Sequence, residues 1–128
     1  MIGLDPAAGA TILGANLYTR VWDRRHYVDI DLSASRYKGK IREVSSSVKE
    51  IIVSELQAEP WGPRPVTELT RSEEAITMSP ELLRRNVGIA SGAGFRTALF
   101  WGVEWYWLRT RGDPSMWEAA RALVEEHR

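Results

Sequence analysis

The sequence predicts an α/β fold of parallel βα units in a single domain spanning residues 1–128. Three observations carry this expectation. Three runs rich in apolar and β-branched residues recur with starts about 40 and 45 residues apart, which leaves room each time for a crossover helix and a loop. A Ser-Pro and an Asp-Pro pair open helix-like stretches after the second and third runs. Finally, Ile51-Ile52-Val53 lacks the alternation of a half-solvated strand and suits a parallel strand covered on both faces, although three residues alone fit a buried helix as well.

The first strand is expected at 11–18 (TILGANLY), the second at 51–56 and the third at 96–101 (RTALFW). Between the first two, 34–48 reads as a helix, weakened by Gly39 and by the serines at 45, 46 and 47. Residues 57–78 hold Pro60, Pro63 and Pro65 and read as a long irregular loop. Ser79 as N-cap and Pro80 in the first turn begin the next helix, Leu83, Val87 and Ala90 give it an apolar stripe, and Gly92 and Gly94 end it. Asp113-Pro114 repeats the start signal, with Met116, Ala120 and Leu123 as the stripe of a last helix and Trp117 and Val124 beside it. Strand C-termini in such a parallel arrangement share one rim, the usual place for chemistry in α/β proteins.

Strict alternation puts Ile51, Val53, Glu55 and Gln57 on one face of the second strand, Asn16 and Tyr18 together on the first, and Leu99 with Trp101 on the third. If these are the concave faces, Asn16, Tyr18, Glu55, Gln57 and Trp101 converge at the rim, a mixture suited to a polyhydroxylated ligand. Each has a plainer reading. Trp101 serves equally well as core, Tyr18 as a cap on the sheet edge, and Glu59 as a solvated loop carboxylate. Glu104 falls on the loop after the third strand and is ambiguous in the same way. Glu55 ends an Ile-Ile-Val strand and therefore faces either solvent or a pocket.

Composition removes several function classes. Lys plus Arg and Asp plus Glu are 17 each, so there is no basic footprint for nucleic acid or an anionic membrane. The Arg24-Arg25 and Arg84-Arg85 pairs read as solvated surface. Without cysteine there is no thiol catalysis, zinc-thiolate site or disulfide. His26 and His127 are the only imidazoles, which argues against a histidine-rich metal site or a serine-histidine triad, and no metal is expected. No signal peptide is visible, and the most apolar stretch, 100–108, contains Glu104 and is too short to span a bilayer. Six tryptophans, three of them in "FWGVEWYW", supply either core area or flat faces for sugar rings. "GIASGAG" follows a helix, the wrong context for a phosphate loop.

"IIVSELQAEPWGP" followed about 40 residues later by "ALFWGVEWYWLRTRGD" resembles the last part of the (β/α)8-barrel retaining glycoside hydrolases of the two-glutamate clan, and "LGANLYTRVWD" resembles the strand before that pair. The resemblance runs over residues 11–127. It implies strands six to eight of a TIM barrel, that is, a partial barrel of about three of the eight units, with no cofactor and a carbohydrate substrate, namely β-linked glycans or glycosides. It further implies that Glu55 is the catalytic nucleophile, that Tyr18 stands near it, and that Trp101 floors the sugar subsite. Asn16, Gln57, Trp61 and Glu104 complete the expected substrate-binding set. The acid/base glutamate of the clan lies on strand four, which has no counterpart here, so the expectation is a glycoside hydrolase-like fragment, inactive by itself. The alternative is a non-catalytic carbohydrate-binding or interaction module that stacks ligands on Tyr18, Trp61, Trp101 and Trp105. Open sheet edges and an inner face bearing Val53, Leu99 and Trp101 predict self-association.

Overall fold

A computed structural model describes residues 11–30, 33–44, 48–109 and 112–127. Strand β1 (Ile12–Leu17) is followed at once by a short hairpin, β2 (Arg20–Trp22) and β3 (Tyr27–Asp29), which the sequence reading did not anticipate. Its turn is closed by Asp23, whose Oδ1 accepts from the backbone N–H groups of Arg25 and His26 at 2.9 Å each. Trp22 and Tyr27 meet edge-to-face across the strands, 5.0 Å between centroids. Helix α1 (Ala34–Val44) follows; the expected continuation at 45–47 lies outside the described residues.

Strand β4 (Glu50–Gln57) leads into the stretch expected to be irregular. It holds instead a single 3-10 turn at Val66–Glu68 and a helix, α2 (Arg71–Thr77). The helix forms because Thr70 and Glu73 make a reciprocal capping box: Glu73 N–H donates to Thr70 Oγ1, and Thr70 N–H to Glu73 Oε2. Helix α3 (Pro80–Ala93) starts as predicted, with Ser79 Oγ accepting from Leu82 N–H, and stops at Gly94, whose φ of 97° is the left-handed cap. Gly92 lies inside that helix. After β5 (Ala98–Trp101) the chain turns directly into α4 (Glu104–Arg109), so Glu104 opens a helix and does not sit in a loop. The last helix, α5 (Ser115–Glu126), is opened by Asp113, which accepts from Ser115 N–H.

The main sheet is parallel in the order β1-β4-β5, and the hairpin forms a separate antiparallel pair. Helix α3 lies between α1 and α5 and packs on β4. Leu17, Val53, Leu56, Leu83, Ala90, Ala93, Met116, Ala120 and Leu123 fill the core on this side. Each fully buried Leu or Val side chain there contributes about 1.5–3 kcal/mol.

Strict alternation along β4 fails at one place. Ala15 pairs with Val53 but Asn16 with Glu55, and on the other side Val53 pairs with Ala98 but Leu56 with Phe100. Between these pairs β4 carries one residue more than either neighbour, a bulge at Ser54-Glu55. Val53 and Leu56 are consequently both fully buried in the helix-side core, and Ile51, Val53, Glu55 and Gln57 do not share a face. Val53, expected on the bare inner face, is therefore a core residue. The uncovered side of the sheet carries Ile12, Asn16, Leu99 and Trp101, with Leu99 53 % and Trp101 46 % exposed.

Candidate functional site

The bulge determines where Glu55 points. Ser54, the extra residue, lies over Gly14 and donates to Asn16 Oδ1 at 3.1 Å. Glu55 is turned toward the residue that follows β1, and the Tyr18 hydroxyl donates to Glu55 Oε2 at 2.7 Å. This leaves the second carboxylate oxygen for a ligand. Burial first, then the hydrogen bond and charge of Glu55, and then the charge of Glu59, push the Tyr18 phenol far above its ordinary value, so it is a fixed donor. Trp61 is held by its backbone N–H, which donates to Thr77 Oγ1, and its ring packs edge-on to Tyr18, with centroids 5.3 Å apart.

A second carboxylate stands beside this pair. The backbone N–H of Ala58 donates to the Trp101 carbonyl at 3.1 Å, which ties the end of β4 to the end of β5. Glu59 then crosses Gly102, which is buried at φ 84°; a Cβ on Gly102 would lie within 2.6 Å of Glu59 Cδ. Burial, and next the charge of Glu104, raise the Glu59 pKa, and the neighbouring Trp101 side chain partly opposes them. The Tyr106 phenol is fully buried and is held protonated by that burial and by the nearby Glu59 charge.

The rim thus gathers Tyr18, Glu55, Glu59, Trp61, Trp101 and Glu104. Asn16 belongs to the same open face, one step before Tyr18, with its amide oxygen engaged by Ser54. Gln57 does not join them. It is fully buried, and its Oε1 accepts from the N–H groups of Thr19 (3.0 Å) and Arg20 (3.2 Å) while Nε2 donates to the Arg20 carbonyl (2.7 Å). Asn86 on α3 donates to the Gln57 carbonyl and accepts from Thr19 Oγ1. This closed polar network fixes the strand ends that carry Tyr18 and Glu59. Trp105, grouped above with the stacking residues, is 4 % exposed and belongs to the core.

Sequence reasoning left Glu59 as a solvated carboxylate and did not single out Gly102 or Tyr106. The available signal was Trp101-Gly102 directly after a strand, where a glycine marks a close approach of another group. Among the described residues, no three His, Cys, Asp or Glu side chains form a metal-ligand group, and no helix is long and apolar enough to cross a membrane. Comparison of the chain with protein-family models, curated proteins and solved structures finds no match in any of the three.

Proposed function

We propose that this chain carries the nucleophile side of a retaining β-glycosidase site, with Glu55 as the nucleophile, as part of a (β/α)8 barrel to which it contributes three βα units. The observation that carries the proposal is the 2.7 Å bond from the Tyr18 hydroxyl to Glu55 at the carboxyl rim of a parallel sheet. A retaining enzyme needs a carboxylate that is ionised, fixed and open on one side. Tyr18 fixes one oxygen as a neutral donor and leaves the other to attack the anomeric carbon. Trp61 and Trp101, both partly exposed beside this pair, supply apolar faces for a pyranose ring. A β-linked glycan or glycoside is the substrate class this set fits, and it requires no cofactor.

Protonation of the leaving oxygen needs a second carboxyl group about 5–5.5 Å from the first, on the other side of the scissile bond. Glu59 and Glu104 come from the β4 and β5 ends, beside Glu55 and not opposite it. Loss of general acid catalysis costs roughly 10²–10⁴ in rate, so the chain by itself does not turn over glycosides with poor leaving groups. A dinitrophenyl leaving group needs no proton. Incubated with a 2,4-dinitrophenyl 2-deoxy-2-fluoro-β-glycoside, the chain releases one equivalent of dinitrophenolate as Glu55 bonds to the sugar and the glycosidic bond breaks. The Glu55→Gln variant releases none. A burst that survives in that variant contradicts the assignment. The exposed indoles also favour a second reading, non-catalytic carbohydrate binding, which predicts tryptophan quenching by oligosaccharides with no burst.

A further inference from the structure

The nucleophile assignment leaves Glu59 without a role, yet its side chain lies in a space kept open for it at the end of β5. The Ala58–Trp101 backbone bond fixes its loop to the end of β5, and Gly102 provides the space it crosses, where a Cβ would lie 2.4–2.6 Å from the Glu59 side chain. Glu59 follows the end of β4 and its side chain lies against Gly102, directly after β5. Beside it is an unmet demand: the Tyr106 hydroxyl is fully buried and has no hydrogen-bond partner among the described residues. A buried donor of this kind marks a place where a further polar group completes the network. A carboxylate with free lone pairs next to an exposed indole face suits a ring bearing hydroxyls, because the carboxylate accepts charge-assisted hydrogen bonds from them and the indole covers the apolar ring face.

We infer that Glu59 is the specificity-determining residue of this rim, reading the hydroxyl pattern of the sugar placed against Glu55, with Trp101 as the residue that orients it. The inference rests on the reading of Glu55 as nucleophile. Glu59 cannot serve as the opposing acid because it follows Glu55 by four residues on the same strand end. A site whose polar group is made to bond a hydroxyl discriminates strongly against the epimer that fails to present it.

The test compares the dinitrophenolate burst rates given by 2,4-dinitrophenyl 2-deoxy-2-fluoro-β-glucoside and by its 4-epimer, the β-galactoside. The wild-type chain is expected to favour one of them by roughly ten- to a hundredfold. Glu59→Ala and Glu59→Gln are expected to bring the ratio close to one while the burst still depends on Glu55. Should the alanine variant fail to fold, the glutamine variant, which keeps the shape, carries the comparison. A ratio unchanged in the Glu59 variants, or no preference in the wild type, overturns the inference and leaves the Glu55 reading standing. No burst with either sugar overturns both.

Discussion

Glu59 sits where its own charge is disfavoured, and this has a consequence for stability. Burial and Glu104 lift its folded-state pKa above the unfolded value of 4.5. A carboxyl shifted upward in this way stabilises the fold fully below pH 4.5, and its contribution is lost as pH rises through the raised value. Glu59→Gln removes the titration. Thermal unfolding should show the variant gaining on the wild type between pH 4 and pH 8, and a constant difference across that range would contradict the burial argument. Gly102→Ala works in the opposite direction. A side chain at φ 84° is strained, and its Cβ meets the Glu59 stem, so a cost of about 1–3 kcal/mol is expected. The approach of Tyr18 to Glu55 was legible in the sequence because each follows an apolar run near the end of a strand. The surroundings of Glu59 were not, since they depend on a left-handed glycine some forty residues away.

At the scale of elements, the parallel βα order and the helix starts at Ser79 and Asp113 were legible because proline beside a capping side chain is a local signal. Helix α2 had an equally local signal in Thr70 and Glu73, but the prolines before it masked that signal. The hairpin was hidden because its strands are three residues each, and the turn depends on Asp23 and on Arg24 at φ 83°. The bulge was hidden because it is a relation between strands. Three predictions belong here. Thr70→Ala should cost about 0.5–2 kcal/mol and lower amide protection over residues 71–77. The Glu73 carboxylate, held near pKa 2 by its bonds to Thr70 and next by that to Arg64, adds stability above its unfolded 4.5 that is lost as pH falls through about 2. Acid should therefore loosen α2 in the wild type, and less so in Glu73→Gln. Gly14→Val should destabilise more than a typical surface change, because a Cβ there lies 2.9 Å from Ser54 Cβ across the bulge.

Among the described residues, the three-stranded sheet has two unpaired edges, β1 and β5, and an uncovered face on which Ile12, Leu99 and Trp101 are exposed. Exposed edges and apolar faces promote association, so the chain in isolation is expected to self-associate. Light scattering that shows a monodisperse monomer, together with a cooperative thermal transition, would contradict this. The open edges are where the proposed barrel would continue, and the uncovered face leaves the rim accessible to small reagents. The most direct measurement of the central claim is therefore the position of the covalent label after reaction with the dinitrophenyl fluoroglycoside, located by proteolysis and peptide mass mapping. A single fluoroglycosyl adduct on Glu55 is expected. An adduct on Glu59 or Glu104, or no adduct with any β-glycoside offered, would contradict it.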